Sequence, residues 1–224
     1  ATVLLHKTNI ISGKEGVEIV MLGDDDFLWI GRTVGAQDPD SYTKRDMTKP
    51  VRDTRVGLLP PKLAQILLNF GEYLANDGRE KKLKKLTVLD PFCGTGVIPM
   101  EALLRGWDVL ASDASLKAVN GCEKNLDWTR KEYGILKKDT ASTVWKQDAT
   151  RAFELKETPD VIVTETTLGT AFSDRPAAKD AMKARTEVEE IETGFLENIA
   201  ATLPGVPVVC TLPVWFPKAG PLFI

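Results

Sequence analysis

The chain has 224 residues, 43% of them hydrophobic and 27% charged, with a formal net charge of −3 and a pI near 5.4. This composition excludes disordered and fibrous classes, and no run of about 20 apolar residues is present to cross a bilayer as a helix. Stand-alone nucleic-acid binders are usually basic, so any hold on RNA or DNA is expected from a local patch or from outside help.

The N-terminal part, residues 1–57, reads as a small appendage to one larger domain, residues 58–224. Val17 to Leu22 and Phe27 to Val34 are β-prone runs around Gly23-Asp24-Asp25-Asp26, which predicts a hairpin. Two strands alone are marginal in water, so this hairpin is expected to lean on something. Gly35 to Arg55 reads as polar and irregular. Within it Lys44, Arg45, Lys49, Arg52 and Arg55 outweigh Asp46 and Asp53 by a net +3, a candidate phosphate-gripping patch.

From Leu58 the pattern becomes regular. Pro60-Pro61 opens a helix with Leu63, Ile66, Leu67 and Phe70 at the 3.6 period. A charged linker, Asn76 to Lys85, leads to a buried-strand run from Leu86 to Phe92. A helix follows over Thr95 to Leu104, then a strand from Asp108 to Asp113 and a helix from Ser115 to about Tyr133. Further strands are expected at Ser142 to Asp148, Pro159 to Glu165 and Val206 to Leu212, with a long helix between the last two from about Asp180 to Leu203. Repeated strand–helix alternation, with apolar runs that do not alternate, predicts a doubly wound, Rossmann-like parallel sheet covered on both faces. Its expected order is 3-2-1-4-5, with the first strand at the topological switch point. Pro221 to Ile224 reads as the opening of a sixth strand that is not present. Trp128 and Trp145 are placed in the core by their helix and strand contexts.

The scarce residues narrow the chemistry. His6 is the one histidine, so a Ser-His-Asp triad or a multi-histidine metal site has little to draw on. Cys93, Cys122 and Cys210 are odd in number and form no CxxC pair; neither a disulfide framework nor a metal is expected, and reduced thiols suit a cytoplasmic protein. The start, ATVLLHKTNIISG, has no signal-peptide features. It also lacks an initiator Met, so the chain is expected to be processed or a fragment.

The strongest chemical signal is Asp90-Pro91-Phe92-Cys93-Gly94-Thr95-Gly96, which ends the first strand and opens a helix. Its glycines allow a tight turn and close approach to a ligand, and the helix N-terminus offers free N–H groups. Asp113 ends the second strand, 23 residues after Asp90, where an acid takes ribose hydroxyls in nucleotide-binding α/β folds. Asp148, beside Ala149, ends the third and is placed to accept from an adenine amine. A dinucleotide fingerprint would need a third glycine where Pro99 stands, and a pyrophosphate would be repelled by Asp90. A ligand carrying an ammonium or a sulfonium would be attracted, so charge selects S-adenosylmethionine over NAD.

DPFCGTG followed by IPMEAL resembles the class I S-adenosylmethionine-dependent methyltransferases. Together with the lead-in IGRTVGAQDPDSYTKRDMTKPVRDTRVGLLPPKLAQILLNFG, it resembles more narrowly the tRNA guanine-N2 methyltransferases and their RNA-methylase relatives, over about Val17 to Phe216. The resemblance implies that Asp90, Pro91, Phe92, Cys93, Gly94, Thr95 and Gly96 hold the methionine end. It assigns Asp113 and Ala114 to the ribose and Asp148 and Ala149 to adenine, with Pro61 in a helix covering the methionine end. It further implies methyl transfer to an exocyclic nucleobase amine, guanine N2 in tRNA, with Glu165 and Thr164 as the catalytic pair. The family motif of Asp or Asn, Pro, Pro and an aromatic reads here Thr164-Glu165-Thr166-Thr167-Leu168-Gly169. Both prolines are missing, and Leu168 stands where a ring would stack on a flipped base. The family's RNA-capture domain, a THUMP module, is not recognisable either, so a partner chain or a missing domain is expected to deliver the RNA. Two rivals remain: a degenerate subunit that binds S-adenosylmethionine without methylating, and a DNA amino-methylase.

Overall fold

The computed structural model describes residues 17–35, 37–53, 58–172, 174–218 and 220–224. His6 and Arg55 lie outside them. The chain forms two units, Ala1–Thr48 and Lys49–Ile224.

In the first unit, β1 (Ile19–Gly23) and β2 (Leu28–Arg32) form the expected antiparallel hairpin, with Leu22 opposite Trp29. Asp24 shapes its turn by accepting from the N–H groups of Asp26 and Phe27 at 3.0 and 2.7 Å. Every strand residue is exposed, so among the described residues the hairpin does not lean on other structure. The segment taken as irregular contains a helix, α1 (Pro39–Met47). Asp38 caps it, accepting from the N–H groups of Asp40 and Ser41 at 3.0 and 3.1 Å, and Pro39 occupies the first turn.

The larger unit begins at Lys49, and a buried side chain ties its first residues down. Asn125 accepts from the Val51 N–H at 2.9 Å and donates to the Val51 carbonyl at 2.9 Å, fastening this stretch to the larger unit. Lys117 adds an ion pair to Asp53 at 2.6 Å.

The larger unit is a five-stranded parallel sheet of β3 (Thr87–Asp90), β4 (Asp108–Asp113), β5 (Ser142–Lys146), β6 (Val161–Glu165) and β7 (Val208–Thr211). Its order is β5-β4-β3-β6-β7, the predicted 3-2-1-4-5. Four helices cover it: α2 (Pro61–Ala75), α3 (Val97–Leu104), α4 (Leu116–Tyr133) and α5 (Ala178–Thr202). Val88, Val109, Ala111, Val161 and Val163 face one apolar layer with Leu68, Met100 and Cys122. The intervening Leu89, Leu110 and Ile162 face another with Phe195 and Ile199. Apolar residues are thus needed at every position of the central strands, which is why the runs do not alternate. α3 is buried from Val97 through Leu103, and its sequence is accordingly apolar nearly all round. Trp128 and Trp145 pack against these two layers respectively.

The C-terminal segment differs from expectation. β9 (Leu222–Phe223) folds back antiparallel onto β8 (Val214–Trp215) instead of opening a sixth strand of the main sheet. Trp215, Leu222 and Ile224 pack with Ala181, Ala184 and Val188 of α5, which gives these C-terminal apolar residues a local core.

Candidate active site

Parallel register sets the site. β3 and β4 pair Asp90 with Ala111, so β4 runs two residues further and ends on Asp113. β6 ends on Glu165, paired with Thr211 of β7. The carboxyl ends of the strands therefore carry acids around the switch point, where open α/β sheets bind their ligands. A cavity of about 640 Å³ opens there.

The turn after β3 forms one wall. Asp113 accepts from the Gly94 N–H at 3.0 Å and the Ser115 N–H at 2.8 Å, so its carboxylate ties the turn to the start of α4. The Cys93 N–H donates to the Ser112 carbonyl at 2.9 Å. Gly96 sits at φ +88°, and a Cβ there would lie 2.6 Å from Cys122 Sγ. Only glycine satisfies both the left-handed backbone and that approach to α4. Asn125 completes the clamp by donating to the Thr95 carbonyl at 2.7 Å.

Asp90 is buried at the base of the cavity. Thr164 Oγ1 donates to it at 2.7 Å and the Phe92 N–H at 3.3 Å. Burial nonetheless pushes its pKa up from 3.8 to about 7, with the nearby charges of Asp113 and Glu165 acting in the same direction. Glu165 is half-buried and is also shifted upward by burial. Asp148 shifts the opposite way, because the Thr150 N–H and hydroxyl donate to it at 2.9 and 2.8 Å. The hydrogen bond with Cys122, and then burial, raises the Cys93 thiol far above its ordinary range, leaving it neutral and a poor nucleophile.

Most of the residues singled out in the sequence meet at this cavity. Asp90, Pro91, Phe92, Cys93, Gly94 and Thr95 line it along the turn, and Asp113, Ala114, Asp148 and Ala149 line it from the next two strand ends. Glu165 and Arg52 also open onto it. Five assignments change. Gly96 does not itself line the cavity; it shapes the turn against Cys122. Thr164 is fully buried, donates to Asp90 and does not line the cavity. Pro61 is buried in the first turn of α2, and its neighbours Leu58 and Leu59 line the cavity instead. Arg45 is buried against the Tyr42 ring, 4.5 Å from its centroid, and donates to Ser41 Oγ at 2.5 Å. Lys49 is buried as well. Neither cation is presented to a phosphate; of the described basic candidates, Lys44 and Arg52 are the exposed ones.

The residues that sequence reasoning missed are structural partners. Asn125 lies on the buried face of α4 with Val119, Cys122 and Leu126, where an amide among apolar residues was the available signal. Asp53 and Lys117, ion-paired, also line the cavity.

Comparison with known proteins agrees with this architecture. The family model described as "Conserved hypothetical protein 95" matches residues 67–163. The tRNA (guanine(10)-N2)-dimethyltransferase of Methanothermobacter thermautotrophicus is 32% identical over 154 residues, covering 69% of this chain and 38% of that protein. The chain thus spans well under half the length of that relative. The rRNA methyltransferase aviRa of Streptomyces viridochromogenes superposes with a TM-score of 0.52 at 15% identity, covering 81% of this chain and 83% of the other. The chain therefore has the fold of the class I S-adenosylmethionine-dependent methyltransferases and is similar in sequence to one of them.

Proposed function

We propose that this chain transfers a methyl group from S-adenosylmethionine to the exocyclic amine of a nucleobase in RNA, with guanine N2 of tRNA as the preferred target. The observation that carries the reading is one cavity that gathers the glycine turn, three strand-end aspartates and Glu165. The likeness to the tRNA guanine-N2 enzyme supports the choice of amine and RNA.

The donor set suits such a cofactor. Asp90 is an acid held close to neutrality by burial, and Asp113 and Glu165 add to its discomfort. A cation placed beside Asp90 relieves this crowding. When bound, S-adenosylmethionine supplies an electrophilic methyl on a positively charged sulfur. Asp90 and the turn Gly94–Gly96 would fix the amino-acid end, while Asp113 and Asp148 take the ribose and the adenine amine. Asp113 would do this while still holding the Gly94 and Ser115 N–H groups, so ribose binding and turn geometry are coupled.

Glu165 does the work at the acceptor. Its carboxylate accepts a hydrogen bond from the amine, directs the nitrogen lone pair at the methyl, and takes the proton released once the new N–C bond has formed. Positioning contributes most of the rate, with reacting atoms brought to about 3–3.5 Å in line. A base within a helix must first be flipped out.

The test is labelled methyl transfer to unmodified tRNA transcripts at low salt. Wild type is expected to transfer. Glu165→Gln is expected to bind the cofactor as before and to transfer about tenfold more slowly or worse, about 1.4 kcal/mol of barrier. Tight cofactor binding with no transfer to RNA or DNA would instead make the chain a binding subunit.

A further inference from the structure

A second depression of about 500 Å³ adjoins the main cavity, and the two share Leu168 as a common wall. Its floor is Trp215, buried against Ala181, Ala184 and Val188 of α5. The stretch after Glu165 is pressed onto this floor by Gly169, which sits at φ +69°; a Cβ there would lie 2.7 Å from Val188 Cγ2. Leu168 thus lies between the two spaces and lines both. Phe172 and Phe216, 36% and 57% exposed, also line this depression, neither packed on another ring among the described residues. Exposed Arg175 lies beside them.

We infer that this groove, with Phe172 and Phe216 as its stacking surfaces, is the seat of the target nucleobase. The inference rests on the proposed function and names the base-holding residues it lacks. A base requires a flat apolar face to stack on, and Leu168 cannot provide one at the position nearest Glu165. Two exposed rings in the adjoining depression can, and bases of any sequence stack on aromatic side chains. Arg175 adds a cation suited to a flanking phosphate or to a base face. A peptide partner would use the same apolar surface but would have no reason to border the methyl-donor cavity. That adjacency selects the base.

The experiment compares wild type with Phe172→Leu and Phe216→Leu, which keep an apolar side chain but lose the ring, and with Phe172→Tyr and Phe216→Tyr, which restore one. Both positions are exposed, so folding is expected to tolerate all four, and unchanged thermal melting verifies it. Cofactor affinity should stay at the wild-type value throughout. kcat/KM for a tRNA transcript should fall about tenfold or more in the leucine variants and recover in the tyrosine variants. A second readout does not need turnover: a short single-stranded RNA carrying 2-aminopurine should be quenched by wild type and markedly less by the leucine variants. Leucine variants that keep wild-type kcat/KM and wild-type quenching overturn the inference, and leave the groove to a protein partner. Quenching that depends on the rings, in a wild type that transfers no methyl, would overturn the proposed reaction while supporting the groove. Absence of both transfer and quenching would overturn the groove together with that reaction.

Discussion

Asp90 makes cofactor binding depend on pH in a way that can be calculated. Its pKa is raised to about 7 by burial, so the ligand-free site holds it partly protonated at neutral pH. A cationic ligand favours the anion and must displace the proton. With a pKa of about 7, the ionised fraction climbs from about a tenth at pH 6 to about nine tenths at pH 8. Affinity should therefore rise about tenfold over that range, or about 1.4 kcal/mol, and binding near pH 6 should release close to one proton. The ligand's own amine also titrates, so the reference is Asp90→Asn, which keeps the shape and lacks the charge. Calorimetry at pH 6, 7 and 8, in two buffers of different ionisation enthalpy, counts the protons directly. The difference in slope between wild type and Asp90→Asn is the prediction. Identical pH dependence in the two proteins would refute the reasoning, because Asp90 would then not face the cation.

Linkage also fixes the sign for the ligand-free fold. The folded pKa lies above the ordinary value of 3.8, so the native state holds the extra proton between about pH 4 and pH 7 and loses stability as pH rises through that window. Asp90→Asn should accordingly be more stable than wild type at pH 8, as denaturant unfolding at the two ends of the range would show. Asp113→Ala removes both a ribose ligand and the acceptor for two backbone N–H groups; cofactor affinity should fall by about 1.5–3 kcal/mol, measured by calorimetry. Asn125→Ala strips partners from the Val51 N–H and from the Val51 and Thr95 carbonyls. It should cost about 2–4 kcal/mol in chemical denaturation, and cofactor affinity should weaken with it because Thr95 lines the site. Gly96→Ala should abolish measurable cofactor binding, since the turn must open to admit a Cβ; unchanged affinity would show that the turn is not the binding element.

Much of this was legible in the sequence because it is local. Apolar runs too short for helices, each followed by a 3.6-period segment, specify buried parallel strands, and the chirality of their connections leaves few orders open. The glycine turn was legible because its backbone demands are confined to a few consecutive residues. What escaped was long-range. Nothing near Val51 announces a partner 74 positions away in Asn125. Counting cations in the lead-in could not tell that Arg45 would fold onto Tyr42 one helical face away, whereas Asp38-Pro39, a cap followed by a helix-opening proline, did carry the signal for α1 and was passed over. The altered residues after β6 were readable as departures from the methyltransferase motif. That Gly169 seats them against α5, beside two exposed rings, depended on the tertiary fold.

The central claim is that this site methylates a nucleobase amine in RNA, and the most direct measurement is of the product. Unmodified tRNA transcripts are incubated with the protein and S-adenosylmethionine, digested, and their nucleosides separated by liquid chromatography with mass detection. The account predicts N2-methylated guanosine with wild type and about a tenth as much or less with Glu165→Gln under initial-rate conditions. Absence of any methylated nucleoside, from a protein that binds the cofactor, would contradict it.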